Sequence, residues 1–132
     1  MIRAAFALAL LAAVFAGCRP TQHPTEVEID IRHSHFVQGE VTVLAGVPIT
    51  FTLQNDDPME HEWIVGTAEV HQRHRTGTEP YHDQVPTEVT LPTFSTKRTT
   101  VTFDKPGEYL YICHLPGHEE YGMRGTVRVV AE

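Results

Sequence analysis

Positive charge is scarce in this 132-residue chain: ten Lys and Arg stand against seventeen Asp and Glu, for a formal net charge of -7. Nucleic-acid binding needs clustered Lys and Arg, so the balance argues against that class of partner. It leaves room for a basic protein partner. Long apolar runs are also missing. The longest, over residues 4–16, falls short of the roughly 20 apolar residues that a spanning helix needs. Cysteine is reduced to two, Cys18 and Cys113, in contexts so unlike that pairing them is unattractive.

Histidine, by contrast, is abundant at nine, the first hint of metal chemistry, and nine Gly and nine Pro favour short elements with frequent turns. A composition that is 41% hydrophobic and 20% charged suits one compact globular domain.

Residues 1–17 read as a secretory signal: Arg3 is the charged start, residues 4–16 the apolar stretch, and Ala16 and Gly17 the small residues at its end. The stretch Val14-Phe15-Ala16-Gly17-Cys18 resembles the lipobox of bacterial lipoproteins, with Phe15 where Leu is commoner. That resemblance implies lipidation at Cys18, a membrane attachment through the lipid, and a location on the periplasmic side of a bacterial cell envelope. The alternative is an ordinary cleaved signal with an incidental cysteine. Residues 18–26 are then a flexible tether and 27–132 the folded domain. With Cys18 acylated, Cys113 is a lone thiol in an oxidising compartment, hence a liability or a ligand.

The domain reads as β-strands. Val27, Ile29 and Ile31 alternate with polar residues, as do Ile49, Phe51 and Leu53, and Thr99, Val101 and Phe103. Further strands are expected at residues 41–43, 62–65, 89–91, 108–113 and 126–131. Residues 67–86 are polar without sustained period and read as a long loop with a helical turn near residues 68–73. Seven or eight short strands predict an all-β fold, an antiparallel Greek-key β-sandwich.

The chemistry lies near the C-terminus. Cys113, His118 and Met123 are spaced Cys-x4-His-x4-Met on one loop around Leu115-Pro116-Gly117. Thiolate and imidazoles in a trigonal plane with a weak axial thioether suit copper in an electron-transfer site. Structural zinc prefers four strong ligands, iron–sulfur clusters four thiolates, and calcium and magnesium oxygen. A second imidazole is needed. His61, at the start of a strand behind the Asn55-Asp56-Asp57-Pro58 turn, is the candidate, with His33 and His35 as competitors that lack such a turn. His114 follows Cys113 on a strand and should point to the opposite face. His71, His74 and His82 read as solvated loop residues, with a second metal there left open, and His23 as part of the tether.

Over residues 27–131 the chain resembles the cupredoxin family of plastocyanin, azurin and rusticyanin. The resemblance rests on the Cys-x4-His-x4-Met loop, the Gly107-Glu108-Tyr109-x-Tyr111-x-Cys113 lead-in and the Gly125-Thr126-Val127-x-Val129 exit. It implies one type 1 copper ion held by His61, Cys113, His118 and Met123, with transient redox partner proteins and a monomeric chain. Two departures stand out. Many members carry Asn after the upstream His to brace the ligand loops, and here it is Glu62. Plant plastocyanins carry Tyr before the Cys, and here it is Ile112, which weakens any second electron route through that position. Cys113-His114-x3-His118-x4-Met123 also resembles the tail of the multicopper oxidase signature. The leading His of that signature is Ile112 here, and the only His-x-His pair is His33-Ser34-His35. The expected function is a one-electron carrier outside the cytoplasm rather than an enzyme; copper storage, delivery or resistance is the alternative.

Overall fold

The structure, a computed structural model, describes residues 23–77 and 85–132. The expected signal segment, Cys18, most of the tether and His82 lie outside the described residues.

Two sheets pack face to face. The first has the order β2-β1-β4-β7, from β1 (Glu26–Arg32), β2 (His35–Phe36), β4 (Pro48–Asn55) and β7 (Thr96–Thr102). The second has the order β3-β9-β8-β5-β6, from β3 (Glu40–Leu44), β5 (His61–Gly66), β6 (Glu88–Leu91), β8 (Gly107–Ile112) and β9 (Arg124–Val130). The all-β sandwich expected from the sequence is therefore present. Its pairing is mixed rather than antiparallel throughout: β1 runs parallel to β4, and β3 parallel to β9. Alternation along a strand reports which face is buried and carries no information on the direction of its neighbour.

The period-two pattern explains the core. Ile29, Ile31, Ile49, Phe51 and Leu53 face inward from one sheet and meet Trp63, Tyr111, Val127 and Val129 from the other. Side chains of this kind each gain about 1.5–3 kcal/mol on full burial. Phe51 lies 4.9 Å from Trp63, and Phe36 sits edge-on to Tyr111 at 5.0 Å, centroid to centroid.

Strand β5 is buried on both faces because a helix covers its outer side. Helix α1 spans Ala68–Thr76, two turns where the sequence suggested one. Glu69 in its first turn and Arg73, His74 and Arg75 in its last suit the helix dipole, and Gly77 closes it in the left-handed conformation. Gly66 lets the helix approach: a Cβ there would lie 2.8 Å from that of Val70.

Candidate metal centre

Antiparallel pairing builds the site. Strand β5 starts at His61 and β8 ends at Ile112, and the two are neighbours with Ile64 opposite Ile112. The start of one and the end of the other therefore meet at one end of the same sheet. His61 reaches Cys113 from an adjacent strand, not from across the sandwich.

The loop after β8 is tied to itself. The His118 amide donates to the Leu115 carbonyl at 3.0 Å, and the Met123 amide to the His118 carbonyl at 3.0 Å. The Cys113 amide then donates to the Met123 carbonyl at 3.2 Å. A chain folded this way carries Cys113, His118 and Met123 around one small volume. Gly117 and Gly122, with φ of 84° and 101°, supply the left-handed turns that close it.

His61, Cys113 and His118 offer donor atoms that all lie within 4.8 Å of one another. His118 Nδ1 is 3.3 Å from Cys113 Sγ and 3.3 Å from His61 Nδ1. Cys113 and His61 are fully buried, and so is Met123, which shares the hydrophobic core with Cys113. His33, on the β1–β2 turn, and His35, at the start of β2, are the competitors of His61, and there His35 Nδ1 meets the His33 carbonyl at 2.8 Å.

Burial pushes the Cys113 thiol up to about 11 against the opposing pull of the Glu62 and Leu115 amides. The ring of His61 is shifted down, first by burial, against the attraction of Asp57, and is thus neutral and fit to ligate. The Glu62 amide donates to Cys113 Sγ at 3.3 Å. That bond comes from the backbone, so it survives the replacement of the family's Asn by Glu.

Sequence reasoning missed several supporting residues. Asp57 is buried, and its Oδ2 lies 2.9 Å from His61 Nε2. Asn55 donates its amide to the carbonyls of Met59, Leu91 and Pro92 at 2.8, 3.2 and 2.9 Å, joining the turn before His61 to the end of β6. The Asn-Asp-Asp-Pro run signalled a turn, but nothing in its order tells which carboxylate faces inward.

The histidines of α1 differ from expectation. His71 is 1% exposed, not a solvated loop residue. Its Nδ1 lies 2.9 Å from His114 Nε2, its Nε2 donates to the Leu110 carbonyl at 3.1 Å, and His74 stacks on His114 at 5.3 Å. His114 thus turns to the helix side of the sheet, away from Cys113 Sγ. Both nitrogens of His71 are engaged, so this cluster is a hydrogen-bonded relay. Among the described residues, the group that converges as a metal cage is His61, Cys113 and His118.

A mixed β-sandwich with a buried thiol and two imidazoles converging at one end defines a type 1 copper protein of the cupredoxin class. One sulfur and two imidazole nitrogens, with no carboxylate among them, fit copper. The chain belongs to the plastocyanin/azurin family of copper-binding proteins, whose family model matches residues 24–130. It is 28% identical over 97 residues to the copper-resistant cuproprotein CopI of Rubrivivax gelatinosus, a match covering 71% of this chain and 59% of that relative's length. Its fold is similar to that of dithionite-reduced auracyanin from Roseiflexus castenholzii, with a TM-score of 0.71 at 22% identity over 83% of this chain and 99% of that one. It is also similar to auracyanin A, a "blue" copper protein from Chloroflexus aurantiacus, with a TM-score of 0.64 at 27% identity over 81% and 99% of the two chains.

Proposed function

We propose that this protein is a one-electron carrier working outside the cytoplasm, in which His61, Cys113, His118 and Met123 would hold one copper ion. Copper supplies the one-electron chemistry by passing between its cuprous and cupric states. The protein contributes stiffness. Both ligand-bearing segments are fixed to one sheet, so the donor positions change little between the two states. The observation that carries the reading is the convergence of two imidazole nitrogens on a fully buried thiol that accepts the Glu62 amide. Met123 is included among these residues because its backbone is bonded to both Cys113 and His118 and its side chain is buried in the same core as Cys113.

Electrons enter and leave on this reading through His118, which is partly exposed on the same loop as exposed Pro116 and half-buried Leu115. Met59, 45% exposed and two residues before His61, is counted with that surface in the proposal. The surface is the proposed landing place of transient partner proteins, whose encounters bury little area. The signal-like residues 1–17 and the lipobox-like Cys18 support a lipid-anchored place on the periplasmic side of a bacterial envelope.

The deciding experiment is a visible and EPR spectrum of the copper-loaded protein. Intense sulfur-to-copper charge transfer with narrow hyperfine splitting is expected, and a colourless cupric protein overturns the assignment. Similarity to a copper-resistant cuproprotein favours a second reading, copper handling. Metal stoichiometry separates the two, since one tightly held copper favours the carrier and several weak ones favour handling. Oxygen uptake with phenolic or cuprous donors tests the remaining alternative, an oxidase, and none is expected.

A further inference from the structure

The carboxylate of Asp57 has three hydrogen-bond partners beside the site. Its Oδ1 accepts the His33 amide at 2.7 Å, and its Oδ2 accepts the Ser34 amide at 2.7 Å and faces His61 Nε2 at 2.9 Å. The backbone of Asp57 is held too. Its amide donates to Asn55 Oδ1 at 3.0 Å, and its carbonyl accepts the Thr93 hydroxyl at 3.0 Å and the Phe94 amide at 3.2 Å. The 33–34 turn therefore holds the carboxylate against one ligand ring, while Asn55 and the 93–94 turn hold the backbone that carries it. Both turns carry non-glycine residues in the left-handed region: His33 and Ser34 with φ of 53° and 56°, and Phe94 with φ of 48°. Such backbone costs about 1–3 kcal/mol per residue and persists only where the surroundings hold it.

Chemistry assigns the proton. Both Asp57 oxygens accept, so the hydrogen between Asp57 and His61 belongs to Nε2. That leaves Nδ1 with a bare lone pair, and Nδ1 is the atom that faces His118 and the cage.

We propose that Asp57 is a positioning residue for the metal centre: its carboxylate fixes His61 in the Nε2-protonated form with Nδ1 aimed at the thiol, and its negative charge favours the cupric over the cuprous state. The second half rests on the copper reading above, and the first does not. A carboxylate behind a ligating imidazole raises the basicity of the ring, and loss of such a partner typically costs 10–100-fold in metal affinity. A negative charge attracts the doubly charged ion more than the singly charged one, so the loss falls more heavily on cupric than on cuprous binding. A tenfold difference between the two corresponds to a potential raised by about 59 mV for one electron.

Two measurements test this. Nitrogen NMR of the metal-free wild type should show His61 protonated at Nε2 and bare at Nδ1, and a proton on Nδ1 overturns the assignment. Asp57→Asn keeps the size but loses the charge and one acceptor. It should weaken cupric binding about 10–100-fold and raise the reduction potential. Asp56→Asn removes the same charge one residue away, from a carboxylate that faces Arg32 and Gln54 instead. Its effect should be several-fold smaller. Equal shifts in the two variants, or no shift in Asp57→Asn, overturn the proposal. If Asp57→Asn fails to fold, the wild-type NMR result decides. A wild type that forms no type 1 centre sinks the copper reading, and the protonation of His61 still decides the role of Asp57 in orienting it.

Discussion

At Cys113 the structure sets a high barrier to losing a proton and then supplies what lowers it. The thiol is fully buried and pushed up to about 11, so in the metal-free protein it is neutral at pH 7. A bound cation expels that proton outright. Metal uptake should therefore release one proton from Cys113, and apparent affinity should rise about tenfold per pH unit from this group below its own pKa. Titration calorimetry in buffers of different ionisation enthalpy checks the release, and a heat independent of buffer at pH 7 contradicts it. Of the candidate site, Cys113 and His118 were legible from spacing alone, because a loop of so few residues cannot carry them far apart. His61 was legible as a histidine after a turn. Asp57 was not, because its role depends on which side chain of an exposed-looking acidic turn points inward.

Among the elements, β8 and β9 decide how tightly the ligand loop is anchored, since they flank it. Tyr111 lies opposite Gly125 in their register, with its ring over the glycine and its hydroxyl donating to the Gln38 carbonyl. A Cβ at Gly125 would run into that ring. Gly125→Ala should accordingly cost about 1–3 kcal/mol, as overpacking does, seen as a lower thermal midpoint. An unchanged midpoint would show that Tyr111 can move freely. The alternation Thr126, Val127, Arg128, Val129 marks β9 as a strand in the sequence. Helix α1 was underread because it is polar. Its weight comes from His71, which is buried by contact with His114 and Leu110 rather than by apolar character. The two-residue β2 is too short to leave a pattern.

For the whole molecule, the buried histidines set the acid side of stability. His61, His71 and His114 are all shifted down by burial, His114 to about 4. Between the ordinary histidine value near 6.5 and about 4, the unfolded chain takes up protons that the folded one refuses. Stability therefore falls as pH drops through that window. Calorimetry of the metal-free protein should give a lower midpoint at pH 5 than at pH 7.5, and an equal or higher one contradicts the account. The exposed end of the sandwich offers a second test. Leu115→Asp places a charge in the proposed landing surface, so electron exchange should slow while the visible spectrum stays unchanged. An unchanged rate removes that surface from the proposal.

The sequence by itself determined the sandwich, the strand segments and the ligand types, because period-two burial and short-range spacing are local properties. Only the tertiary structure decided that β5 lies beside β8, that two strand pairs run parallel, that His114 turns to α1 and that Asp57 stands behind His61. Each of those depends on contacts between residues distant in the chain, where closing the loops and packing the faces select one partner among many that the local pattern permits.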